Sequence, residues 1–175
     1  MHNNPSFVRI GIIVCLLALG ACADYSFHIN EQPIYTPPSL FTDYRLADQA
    51  LHQCVEQTIQ DHKVTAPEQL NRLNCSSAGI ESLAGLERFR DIRELNLASN
   101  RLTDVEPLTR LARLEVLILR ENHLQSAAPL LNLVRLTQID LSDNPDLLCA
   151  DAQQLAAHVQ GSIQLPQHCR ESSAK

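Results

Sequence analysis

The amino-acid sequence predicts an α/β solenoid of about four repeats, with a parallel concave sheet, a helical or 3₁₀ convex side, an N-terminal helical cap and a C-terminal cap. Two observations carry this. First, between Leu70 and Leu147 the chain repeats itself every 22 residues: Leu70, Ile92, Leu114 and Leu136 begin successive copies, Leu73, Leu95, Leu117 and Ile139 hold the fourth position, and Cys75, Leu97, Leu119 and Leu141 the sixth. Second, the apolar period changes within each copy. The fourth and sixth positions alternate, as a short strand with one buried face does. The later columns, Leu83/Val105/Ala127, Leu86/Leu108/Leu130 and Phe89/Leu111/Leu133, recur every three residues, as a helical or 3₁₀ turn does. One strand and one return segment cannot bury their apolar faces alone, so neighbouring copies stack and their strands pair in parallel.

The ninth position adds Asn100, Asn122 and Asn144, and the eleventh adds Ile80, Leu102 and Leu124. The resulting pattern, L-x-x-L-x-L-x-x-N-x-L, resembles the leucine-rich repeat family, and the 22-residue length with a second L-x-x-L-x-x-L half is similar to its short bacterial subclass. The resemblance implies that the asparagines turn inward and bond backbone groups left unpaired by the bend. The first copy carries Ala78 instead, and the fourth has Asp146 where an apolar residue belongs. Both departures fall at the ends, where capping repeats are expected to be atypical.

Taken in order, residues 1–21 read as a secretion signal: Arg9 supplies the positive charge, and Ile10 to Ala21 is an apolar run too short to span a bilayer. Its end, Leu19-Gly20-Ala21-Cys22, resembles the bacterial lipobox. That resemblance implies cleavage before Cys22, lipid on its sulfur and amine, and, from Ala23, sorting to the outer membrane of a Gram-negative cell, facing the periplasm. An ordinary signal peptide with an incidental cysteine is the alternative. Several acyl chains make anchoring stable where one is marginal. Removing 21 residues and one positive charge leaves 154 residues and moves the formal net charge from −6 to −7. With two lysines, four phenylalanines and no basic cluster, the chain offers no phosphate-tracking groove or base-stacking platform, so nucleic acid is not an expected partner.

Residues 22–41 carry Pro33, Pro37 and Pro38 without a period and are expected to form a tether. About eighteen such residues reach roughly 60 Å when extended and about 23 Å as a coil. Residues 42–69 form the N-terminal cap. Leu46, Ala50, Leu51, Cys54, Val55, Thr58 and Ile59 have helical spacing within Thr42 to Lys63, with Thr42 or Asp43 as N-cap, and Thr65-Ala-Pro-Glu68 has the form of a capping box. The repeats occupy residues 70–148. Residues 149–175 hold the C-terminal cap and tail, with a helix over Asp151 to Gln160 stopped by Gly161.

Six cysteines become four once Cys15 leaves with the signal and Cys22 is committed to lipid. Of three connectivities, Cys54 with Cys75 and Cys149 with Cys169 each tie one cap to the neighbouring repeat. Loops of about 20 residues are each worth roughly 3 kcal/mol. A zinc site from these cysteines with His52, His62 or His168 lacks the paired C-x-x-C spacing.

No nucleophile, base or phosphate-loop signature is present in the sequence, which points away from an enzyme and requires no cofactor. His52, His62, His123, His158 and His168 are scattered and read as surface or cap residues. Glu121, Asp140 and Asp143 admit a calcium-binding corner, with solvated strand-end charges as the plainer reading. Leucine-rich repeats generally present the concave sheet to a partner, and here the outward strand positions read Arg72, Asn74 and Ser76, then Glu94, Asn96 and Ala98, then Val116, Ile118 and Arg120, then Gln138, Asp140 and Ser142. Val116 and Ile118 break the polar pattern. Rimmed by Glu94, Asn96, Arg120, Gln138 and Asp140, they form a candidate interface centre for a protein or peptide of the cell envelope, with simple strand propensity or burial under a cap as the other explanation. Arg101, His123 and the convex arginines Arg88, Arg90, Arg110, Arg113 and Arg135 are further rim or surface candidates. Four strands about 4.8 Å apart give a sheet roughly 15 Å wide, which favours a small or peptide-like ligand. The expectation is therefore a monomeric, lipid-anchored envelope binding module. A structural or accessory subunit, or an outward-facing adhesin, are the alternatives.

Overall fold

The computed structural model describes residues 27–29 and 32–171, with side chains from 36 to 170. The signal segment 1–21, its lipobox and Cys22 lie outside the described residues, as do 172–175. Two compact units divide at Ser39 and Leu40. In the first, β1 (Phe27–Ile29) and β2 (Gln32–Tyr35) pair antiparallel, within the stretch expected to be a structureless tether. Strands of three and four residues are too short to write a period into the sequence.

The second unit is the solenoid. Its parallel sheet runs β3 (Arg72–Asn74), β4 (Glu94–Asn96), β5 (Val116–Ile118), β6 (Gln138–Asp140) and β7 (Ser162–Gln164) in chain order. Register follows the 22-residue period through β6, so that Leu73, Leu95, Leu117 and Ile139 lie side by side, and Ile163 of β7 continues the row. All of the first four are buried. The return segments are 3₁₀ turns at Leu86–Arg88, Glu106–Arg110 and Ala128–Asn132. Their amides reach back three residues, Leu86 to Leu83, Leu108 to Val105 and Leu130 to Ala127, each at 3.0 Å. This shorter pitch keeps every third side chain on one face, and the three apolar columns are buried there.

The asparagine column seals the bends. Asn100, Asn122 and Asn144 are only 6, 2 and 0% exposed. Asn100 accepts from Ala78 N and Ile80 N and donates to Cys75 O and Leu97 O. Asn122 and Asn144 repeat the bridge one and two copies later, Asn144 donating to Leu119 O and Leu141 O. Just before each bend the chain takes a left-handed turn at Ser77, Ser99, Glu121 and Asp143, with φ of 55–57°. None of these is glycine, so the surrounding ladder holds them there, as Ser77 N to Ala98 O and Ser99 N to Arg120 O, both 2.9 Å.

Three sequence expectations need correction. The N-terminal helix α1 spans Gln49–His62 and starts five or six residues later than an N-cap at Asp43 or Thr42 implies. Asp48 is the N-cap, because one carboxylate oxygen accepts from Leu51 N at 3.0 Å while the other accepts from Glu81 N at 2.8 Å and Ser82 N at 3.1 Å in the first repeat. The residues ahead of it run irregularly across the cap: Phe41 and Tyr44 stack at 5.9 Å, and Phe89 meets their rings at 6.0 and 5.4 Å. Burial, and secondarily the charge of Glu56, push the Tyr44 hydroxyl pKa up. Second, the Thr65 turn is closed by Gln69, not Glu68, since Thr65 N donates to Gln69 Oε1 at 2.8 Å. A 3₁₀ turn over Pro67–Gln69 occupies the intervening residues.

The third correction is at the C-terminal cap. Its helix α2 spans Cys149–His158, after which Gly161 does more than stop it: the chain enters β7, a fifth strand, before a short helix α3 (Gln167–Glu171). A Cβ at Gly161 would lie 1.9 Å from Thr137 O, so only glycine permits the approach that brings Ser162 N to that same oxygen at 2.8 Å. The apolar place vacated by Asp146 is filled by Leu147, buried one residue later. Disulfides join Cys54 to Cys75 and Cys149 to Cys169, with Cα atoms 5.8 and 5.0 Å apart, one at each end of the solenoid. Among the described residues no helix is long and apolar enough to cross a membrane.

Candidate functional site

The concave face is built by the third and fifth positions of each copy. Parallel register places Glu94 beside Val116 and Gln138, and Asn96 beside Ile118 and Asp140, so six of the seven residues proposed from the sequence share one surface. Arg120 follows β5 in the next turn, where it sits 3.7 Å from Glu121. Val116 and Ile118 are half-buried rather than fully open. They form one end of a groove of about 460 Å³ that also includes Arg72, Asn74, Glu94 and Asn96, and whose wall is the last turns of α1.

That wall consists of Thr58, Asp61 and His62, of which the sequence raises only His62 for binding, and that as a metal ligand rather than as part of a partner-binding face. Their i, i+3, i+4 spacing was legible as one helix face, but nothing in the chain said that this face overlooks the sheet. What fixes it is Cys54, whose disulfide to Cys75 holds the helix against the end of β3. Leu51, Val55 and Ile59 are buried on the inner side, which turns Asp61 and His62 outward. The fifth strand adds Ser162 and Gln164 to the same rows and widens the sheet from the expected 15 Å to roughly 19 Å.

Several polar groups of this face already serve the backbone. Asn74, Asn96 and Asp140 each accept through Oδ1 from the amide two residues on, Ser76 N, Ala98 N and Ser142 N, at 3.3, 3.0 and 2.9 Å. Ile118, at the same position of the third copy, has no such group. Arg72 and Glu94 are joined at 2.9 Å across neighbouring strands. The same 22-residue step pairs Arg93 with Glu115 and Arg113 with Asp91. These exposed pairs are worth about 0–1 kcal/mol each and serve register more than stability.

Other sequence candidates are placed elsewhere. Arg101 pairs with Glu81, and His123 lies 3.9 Å from Asp146. Arg88 pairs with Asp43 and lies 5.3 Å above the Phe41 ring. His52 packs by Tyr44, with ring centres 5.4 Å apart. Glu121, Asp140 and Asp143 do not converge: Glu121 accepts from Ser99 Oγ and Asp140 holds Ser142. Among the described residues the one cluster of potential metal ligands is Cys149, His168 and Cys169. Its two sulfurs are joined covalently, and the His168 ring nitrogen is 3.0 Å from Leu147 O, which leaves no thiolate for a metal.

No protein-family profile and no curated protein sequence matches the chain. Solved structures do. An internalin (inlF) from Listeria monocytogenes superposes with a TM-score of 0.60 at 26% identity, over 69% of this chain and 36% of that one. A second, internalin C2 from the same organism, gives 0.57 at 21% identity, over 69% and 56%. Together with the parallel five-stranded sheet and its 3₁₀ returns, these decide the architecture. The fold is a leucine-rich repeat solenoid. This chain spans about a third to just over half the length of those two structures, so the likeness concerns the repeat architecture alone. Within that architecture the leucine-rich repeats expose a walled concave groove, which is the feature on which a functional reading rests.

Proposed function

We propose that the protein is a binding module of the bacterial cell envelope, anchored by lipid on Cys22, that recognises a protein or peptide partner through its concave sheet and is not an enzyme. The leucine-rich repeat fold supports an interaction role in general, but function has to be argued from the site. The observation that carries the reading is the apolar pair Val116 and Ile118, half-buried at the end of a groove of about 460 Å³ whose polar and charged side chains come from β3, β4 and α1, with Gln138 and Asp140 of β6 beside the pair. A half-buried apolar centre within a polar rim, able to be covered fully by a partner, is the energetic layout of a recognition patch.

The test is in-cell crosslinking of the lipidated protein with mass-spectrometric identification of what is captured, beside Ile118→Glu. Loss of one defined partner in a variant that still unfolds cooperatively supports the reading; an unchanged set of partners sinks it. Labelling with a palmitate analogue, abolished by Cys22→Ser, tests the anchor separately. A second reading, an accessory subunit that uses another surface, is favoured by Val134 and Leu148, which are 76 and 61% exposed and lie outside the concave sheet. It predicts that Val134→Glu or Leu148→Glu releases the partner while Ile118→Glu does not.

A further inference from the structure

We propose that the concave groove takes an extended peptide whose apolar side chain rests on Val116 and Ile118 and whose flanking lysine or arginine meets the carboxylates of Asp61 and Asp140. This rests on the reading of the concave face as the recognition surface and adds to it the class of ligand. Size comes first. The groove holds about 460 Å³ between a helix end and a sheet, within the range of small-ligand sites and too confined for a flat domain surface. A sheet roughly 19 Å across is spanned by about six residues of extended chain.

Charge then selects the flanks. Of the cations on this face, Arg72 is 2.9 Å from Glu94 and Arg120 is 3.7 Å from Glu121. Asp61 receives a hydrogen bond from Gln57 Nε2 at 2.8 Å, and Asp140 from the Ser142 amide and hydroxyl. Among the described residues neither of these two aspartates is ion-paired with a cationic side chain, so the groove keeps a negative surplus at its wall and at its open side. The formal net charge of −6 for the whole chain adds to that field. An acidic peptide would bring like charges together, whereas lysine or arginine neutralises the surplus.

The backbone of the ligand also has partners. Asn74 and Asn96 accept through Oδ1 from Ser76 N and Ala98 N, and among the described residues their Nδ2 groups donate to nothing. They stand one strand apart on the groove floor and are available to peptide carbonyls. A free amino acid or a sugar would use these donors without using the apolar pair and the separated carboxylates together.

The test uses the full-length protein in detergent and fluorescein-labelled peptides with a central leucine flanked on both sides by lysine, by glutamate, or with alanine in place of leucine. Anisotropy titration should show saturable binding of the lysine–leucine peptide, about tenfold weaker binding of the glutamate form, and a loss of about fivefold or more without leucine. Asp61→Asn combined with Asp140→Asn should narrow the lysine-over-glutamate preference while leaving thermal unfolding unchanged. Equal binding of both charge forms, a preference for glutamate, or no saturation by any peptide overturns the proposal. So does concentration-dependent self-association in sedimentation that Ile118→Glu removes, because the occupant is then a second copy. If Ile118→Glu releases the cellular partner but no peptide discriminates by charge, the concave reading stands and the ligand class is wrong. If that variant also keeps the cellular partner, the reading beneath fails with it.

Discussion

Asn122 donates its side-chain amide to the carbonyl oxygen of Leu97, 3.0 Å away and 25 residues earlier in the chain. The same nitrogen reaches Leu119 O at 3.0 Å, and its oxygen receives Leu102 N at 3.0 Å. One buried side chain thus satisfies backbone groups of two successive repeats. Asn122→Ala leaves Leu102 N without a partner, while Leu97 O and Leu119 O each lose one of two side-chain donors and keep Asn100 and Asn144, and a buried unsatisfied group costs about 1–3 kcal/mol. The expected loss is about 2 kcal/mol in urea unfolding. Asn122→Asp should be at least as harmful, because a carboxylate accepts from Leu102 N but cannot donate to the two carbonyls. A loss below about 1 kcal/mol in either variant contradicts this account.

Gly161 and Gly79 separate steric from torsional cost. Ala at 161 places Cβ 1.9 Å from Thr137 O, inside the ladder that holds β7, so Gly161→Ala should cost about 2 kcal/mol or more and strip hydrogen-exchange protection from the Ser162 amide. Gly79, at φ +79°, has nothing within 4 Å of an added methyl, so Gly79→Ala should cost only the left-handed backbone penalty, about 1–2 kcal/mol, with β7 protection intact.

The contrast between these two glycines shows how far the sequence could be read. The four-copy pattern located the buried rows and the 3₁₀ returns because each apolar column is a local consequence of period. It placed Glu94, Asn96, Val116, Ile118, Gln138 and Asp140 on one face for the same reason. Strand β7 was hidden because Ile163 follows Ile139 at 24 residues rather than 22, with a helix in place of the 3₁₀ turn, so the copy falls off the period. The groove wall was hidden because the placing of Asp61 and His62 depends on a disulfide and on long-range packing. Asp48 is not legible as the helix cap because Leu46 continues the helical spacing ahead of the true start at Gln49, and the decisive bonds come from Glu81 and Ser82, more than 30 residues away.

Asp48 also makes a prediction about pH. Burial pushes its pKa up, but hydrogen bonds from the amides of Leu51, Glu81, Ser82 and Ala50 outweigh burial and hold the carboxyl below its ordinary value. A carboxyl with a depressed folded-state pKa contributes stability that is present above its unfolded value of about 4 and is lost as pH falls through the lower folded value. Urea midpoints should therefore show wild type well ahead of Asp48→Asn at pH 7, with the gap closing below about pH 4. A gap that persists unchanged at about pH 2.5 would mean that the charge of Asp48 is not what joins α1 to the first repeat.

The two disulfides should act on opposite ends with little cross-talk. In a solenoid each copy contacts only its neighbours, so a defect at one cap propagates by fraying rather than globally. Cys149→Ser with Cys169→Ser should cost about 3 kcal/mol and expose β7 and α2 to exchange while the amides of β3 and β4 stay protected. Cys54→Ser with Cys75→Ser should do the reverse and also loosen the groove wall, since α1 then loses its covalent tie beside Asn74. Partner capture should consequently fall in the second pair of substitutions and persist in the first. Hydrogen exchange read by mass spectrometry distinguishes the two patterns, and equal loss of protection along the whole sheet in both variants would refute the independence of the caps.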